Sequence, residues 1–231
     1  MNPGAPGDAL ASASLALARS FHGGATLWCW SPTWPSHADH VAVEFVHPVI
    51  VGKPALPSVA VRSREAADRL RSAALSGDVV VVIGDGGDLA IADVVQRAPA
   101  WGVESIWLAF GHPPPGDTGA HVVWLGADAG QADVVCAYHL LWELTHVCLE
   151  HPGVLEVGPT GDTISCPACM DAGDLGEIQS LGCANDTDAA VMVGGLTQPV
   201  DLSLVGSCEP GDLIVVHAGV ALTKLAVSVH D

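Results

Sequence analysis

DVVVVIGDGG, residues Asp78–Gly87, joins five consecutive β-branched residues to a glycine-rich turn. An apolar run without polar alternation belongs to a strand buried on both faces, as in a parallel sheet. The glycines that follow suit a tight turn into a helix. Upstream of this run, Leu10–Ser20 reads as a helix, ATLWCW (Ala25–Trp30) as a strand and SHADHVAVEFVH (Ser36–His47) as a helix. LPSVAV (Leu56–Val61) reads as a strand and REAADRLRSAAL (Arg64–Leu75) as a helix with one apolar face. Downstream, ESIWLAF and HVVWLG are further strands, and ADVVCAYHLLWELTHVCLE (Ala132–Glu150) is a long closing helix. Alternating strands and helices predict a doubly wound parallel α/β sheet over residues 1–154.

Beyond residue 154 the pattern changes. Residues 155–165, with the Pro/Gly stretch EVGPTGDT, read as a linker. Residues 166–231 then carry short β-type segments split by turn residues: LGEIQSL, AAVMVGG, PVDLSLV and DLIVVHAGVAL. That spacing predicts a small β-barrel of the OB-like kind. Trp101, Trp107 and Trp142 are expected in the core. GHPPPGDTGAH (Gly111–His121) reads as a solvated turn, with His112 and His121 as candidates for the rim of a site.

Of the 231 residues 49% are apolar and 15% charged, the composition of a globular chain with a sizeable core. Eight Lys and Arg against 26 Asp and Glu give a net charge of −18. Such a surface repels phosphate backbones and anionic lipid, so nucleic acid and membrane surfaces are not expected partners. No positive region precedes the apolar part of the N-terminal stretch, and the seven cysteines are an odd number. Both features point to a reducing, cytoplasmic setting with free thiols.

ISCPACMDAGD (Ile164–Asp174) holds Cys166 and Cys169 in a Cys-x-x-Cys spacing. The spacing alone fits half a zinc site, a redox couple or a soft clamp for another metal fragment. Cys183 and Cys208 read as small buried hydrophobes. The stretch VDLSLVGSCEPGDLIVVHAGVAL (Val200–Leu222) resembles the HypC/HupF family of [NiFe]-hydrogenase assembly chaperones, which carry D-L-S/T-L, P-G-D and V-H-x-G-x-A elements in this order. The resemblance implies a maturation chaperone that holds an Fe(CN)2CO fragment in transit with a HypD-type scaffold protein. It would then deliver the fragment to the hydrogenase large-subunit precursor. By motif, His217 matches the family's functional histidine. The family's cysteine follows the initiator Met, whereas here the pair is internal, so both Cys166 and Cys169 are candidates. A thiolate matches a soft iron bearing π-acceptor ligands, and a nearby imidazole helps to deprotonate it.

The first part resembles the SIS (sugar isomerase) fold, closest to phosphoheptose isomerases. HADHVAVEF, KPALPSVAV, the DVVVVIGDGG region and QADVVCAYHLLWEL carry the likeness. It implies a metal quartet of His40, Glu44, Gln131 and His139, a set suited to zinc. His40 and Glu44, four apart, share a helix face. Gln131 and His139 are eight apart, about 12 Å along a helix, so a site between two subunits of a homo-oligomer is expected. The family's two phosphate loops are replaced by WSPTW (Trp30–Trp34) and GDGGDL (Gly84–Leu89). Two carboxylates about 4 Å from a phosphate would cost several kcal/mol. The SIS-like part is therefore expected to serve oligomerisation or docking. The alternative is a metal-dependent isomerase of a sugar phosphate, or an enzyme acting on another small molecule.

Overall fold

The computed structural model describes residues 6–63, 66–116, 118–156, 173–182 and 188–225. The first part runs α1 (Pro6–His22), β1 (Leu27–Trp30), α2 (Pro35–Val46), β2 (Ser58–Val61), α3 (Ala66–Ala73) and β3 (Val79–Asp85). It continues through α4 (Leu89–Arg97), a 3-10 turn (Ala98–Trp101), β4 (Glu104–Phe110), β5 (His121–Trp124), α5 (Gln131–Glu150) and α6 (Pro152–Glu156). The five strands form one sheet in the order β2-β1-β3-β4-β5, every pair parallel.

β3, the opening stretch, lies at the centre and is buried from Val79 to Gly84. Its side chains alternate between two cores. Val79, Val81 and Ile83 pack with Leu17, Phe45 and Leu141 from α1, α2 and α5. Val80 and Val82 pack with Leu70, Val94 and Trp101 from α3, α4 and the 3-10 turn. Helices thus cover both faces, which is why β3 needs no polar side. Strand order reverses between β1 and β3, and the crevice at their carboxyl ends is where such sheets bind ligands.

In the second part, β6 (Asp174–Leu181), β7 (Asp188–Val193), β8 (Leu196–Asp201), β9 (Leu213–His217) and β10 (Val220–Lys224) close into a barrel ordered β10-β8-β7-β6-β9. Ile178, Val191, Val200, Ile214, Val216 and Ala221 fill it. Two boundaries differ from the sequence reading. PVDLSLV does not continue as a strand: the Asp201 carboxylate accepts from Ser203 N at 2.7 Å and turns the chain. DLIVVHAGVAL is two strands, joined by a turn in which Ala218 and Gly219 have φ of 50° and 81°. A two-residue hairpin demands positive φ there. Residues 157–165 of the expected linker, and Cys166, Cys169 and Cys183, lie outside the described residues.

The barrel is joined to the α/β part through a buried carboxylate. Glu177 of β6, 2% exposed, accepts from the Trp101 indole N–H, from Arg71 Nη1 at 3.2 Å and from Arg97 Nη1 at 3.5 Å. Arg97 also donates to the Gly211 carbonyl at 2.6 Å, and Gly195 N donates to Ala100 O at 2.9 Å.

Candidate functional site

His40 and Glu44 sit one turn apart on α2, and α5 brings His139 opposite them. The Trp142 indole ties the two helices by donating to Glu44 O at 3.0 Å. Glu44 Oε1 lies 3.1 Å from His40 Nε2 and 2.9 Å from His139 Nε2. The three ligand atoms fall within 4.8 Å of one another. The outer nitrogens are engaged as well: His139 Nδ1 is 2.6 Å from Val135 O, and His40 Nδ1 is 3.1 Å from the Tyr138 hydroxyl.

This arrangement fits a metal ion. A carbonyl only accepts, so His139 Nδ1 carries its proton, and a neutral His139 then points the Nε2 lone pair at a carboxylate oxygen. Something positive, a proton or a metal ion, has to lie between them. Two imidazoles and a carboxylate suit zinc, leaving a position open. Gln131 is not brought to this cluster by its own chain. It is exposed at the first turn of α5, about 12 Å from His139 along the axis. A cavity of about 320 Å³, lined by Val49, Ile50, Leu140 and Trp142, opens beside Glu44 and His139.

The sheet's carboxyl-end crevice is filled by the chain itself. Trp34, from WSPTW, stacks on Phe110 at the end of β4 with ring centroids 4.6 Å apart, and His37 packs edge-on to Trp34 at 5.4 Å. In GDGGDL, Asp85 accepts from Gly87 N at 2.7 Å and from His112 N at 3.2 Å. Asp88 caps α4, accepting from Ala90 N at 2.9 Å and Ile91 N at 3.3 Å. The backbone donors that would cradle a phosphate at this strand-to-helix turn are therefore committed to the protein's own carboxylates. The turn is also closed from above: a Cβ on Gly86 would lie 2.0 Å from the His112 carbonyl. Burial pushes the Asp85 carboxyl up, but the N–H groups of Gly87 and His112 and the His112 imidazole outweigh it and hold it below its ordinary value. His121 lies away from this rim, bonded to Glu104 at the start of β4.

His217 ends β9, and its turn is braced from two sides. Asp201 N donates to Gly219 O at 2.9 Å, which joins the VDLSL and VHAG segments. Asp174 pairs with Val216, and Gly173 packs so tightly that a Cβ there would lie 2.3 Å from the Val215 side chain. β6 thus enters the barrel beside His217. Cys208 is only partly buried, and its neighbour Lys224 pairs with Ile214, three residues from His217 along β9. Burial raises the Cys208 and Cys148 thiols and pushes Cys29 up to about 12.

Residues 176–228 match the HupF/HypC family. The matched span begins inside β6 and includes β7 to β10, so the family's domain is the barrel. Among curated proteins no sequence matches. Among solved structures, a phosphoheptose isomerase from Francisella tularensis is similar over 62% of this chain and 86% of its own, at 15% identity and a TM-score of 0.52. Phosphoheptose isomerase GmhA from Neisseria gonorrhoeae covers 62% of this chain and 85% of its own, at 16% identity and a TM-score of 0.48. The first of these shows the fold: the α/β part is SIS-like. The HupF/HypC domain supports a role in hydrogenase maturation, with partners from that system. No helix among the described residues is long and apolar enough to cross a membrane.

The sequence reading passed over Tyr138, Glu177 and the Trp34–Phe110 stack. Glu177, an acid inside the strand segment LGEIQSL, was a legible signal; the others depend on which helices and strand ends meet.

Proposed function

We propose that the chain is a [NiFe]-hydrogenase maturation chaperone that holds an Fe(CN)2CO fragment and passes it to the large-subunit precursor, working with a HypD-type scaffold protein. The carrying observation is the HupF/HypC match over a barrel in which β6 begins at Asp174, paired with Val216 next to His217. Asp174 follows Cys169 by five positions, a reach of at most about 18 Å when extended. A thiolate from Cys166 or Cys169 and the His217 imidazole are the groups assigned to the iron fragment, the sulfur as the soft donor. The imidazole takes the thiol proton as the fragment arrives. The test is capture of the scaffold protein or precursor by the full chain. A Cys166→Ala, Cys169→Ala, His217→Ala variant is expected to lose it, and capture equal to the parent's would refute the assignment.

In this reading the SIS-like part is a docking and homo-oligomerisation module in the cytoplasm that keeps a zinc centre at His40, Glu44 and His139. Gln131 of a second copy would supply the fourth ligand. The gathered cluster favours one other reading, a metal-dependent enzyme, in which a bound ion would act as a Lewis acid on a small molecule. The committed N–H donors and the Trp34–Phe110 stack argue against a sugar phosphate. Zinc is expected on metal analysis, with no turnover of sedoheptulose 7-phosphate; robust turnover would reverse the order of the two readings.

A further inference from the structure

A metal-binding histidine has its second ring nitrogen held by an outer partner, which fixes the tautomer and aims the ring. His139 finds that partner one turn back on its own helix, in the Val135 carbonyl. His40 finds it on the other helix, in the Tyr138 hydroxyl. Tyr138 is 1% exposed, its ring stacked on His139 with centroids 4.8 Å apart and set edge-on to His40 at 5.4 Å. The two imidazoles are themselves 5.3 Å apart, so the three rings form a compact triangle with the phenol backing both histidines.

We infer that Tyr138 is a positioning residue of the His40–Glu44–His139 centre, its hydroxyl accepting from His40 Nδ1–H and so aiming the Nε2 lone pair at the ion. The inference rests on the cluster being a metal centre. A hydroxyl suits the place because it both donates and accepts. Without an ion it donates to Nδ1 while the Nε2–H serves Glu44. With an ion it accepts, and the imidazole turns over its tautomer without moving its ring. A phenylalanine keeps the packing and loses both functions.

The experiment measures zinc affinity by competition with a chromophoric chelator, and the Co²⁺ absorption spectrum, on the full chain. The parent, Tyr138→Phe, His40→Ala and the double variant are compared. Tyr138→Phe is expected to weaken binding about 10–100-fold and to shift the Co²⁺ bands. In the His40→Ala background it is expected to cost nothing more, because the effect runs through His40. Parent-like affinity and bands in Tyr138→Phe overturn the inference. An equal loss in both backgrounds also overturns it, since that marks a general packing role. A parent chain that takes up neither ion overturns the metal reading itself, a separate result that removes this inference with it.

Discussion

At the α2–α5 cluster a single carboxylate oxygen, Glu44 Oε1, faces two imidazole nitrogens. In the proposed zinc centre, Glu44→Ala removes the carboxylate and leaves the two imidazoles of the cluster. Zinc affinity is expected to fall by more than the roughly 10–100-fold typical of an outer-shell partner, read by metal analysis after dialysis against a chelator. At the sheet's crevice, Asp85 titrates below its ordinary value. Its contribution to stability is complete above the unfolded carboxyl value, about 3.9, and is lost as pH falls through the lower folded value. The stability gap between the parent and Asp85→Asn is therefore expected to narrow as pH is lowered from about 5 toward 2, measured as urea midpoints. A gap that widens on acidification would contradict the hydrogen-bond account.

Among the elements, α4 shows how one residue can commit a strand-to-helix turn to the fold. Asp88 caps the helix with two backbone hydrogen bonds, where an anion-binding loop would leave those groups to its ligand. Asp88→Ala is expected to cost about 1 kcal/mol, seen in the urea midpoint, without any gain of isomerase turnover. The barrel strands show the reverse dependence. VDLSL and VHAG, some sixteen residues apart, meet only because β8 and β10 are neighbours in the closed barrel. Periodicity announced β3, β4 and α5, since their apolar patterns are long. It misjudged the end of β8, where the Asp201 side chain, not hydrophobicity, stops the strand.

For the whole molecule the deciding contact is Glu177, a barrel carboxylate held by Trp101, Arg71 and Arg97 of the α/β part. Removing a buried, paired charge leaves its partners uncompensated, so Glu177→Ala is expected to destabilise the chain by about 3 kcal/mol or more. Unfolding of this variant should separate into two transitions, followed by tryptophan fluorescence and far-UV circular dichroism; a single parent-like transition would show that the barrel docks by other means. By itself the sequence determined the two-part architecture, the parallel sheet and the identity of the barrel, because these follow from local apolar periodicity and from an ordered run of motif residues. It also placed His40 and Glu44 on one face, since helical spacing is fixed. The SIS resemblance also implied His139 beside them; only the tertiary structure decided that Gln131 of the same chain stays apart, that Tyr138 backs His40, and that Trp34 and the two aspartates fill the crevice. Those outcomes depend on which helices and strand ends are brought face to face, and packing between elements distant in the chain leaves no periodic trace in the residues that make it.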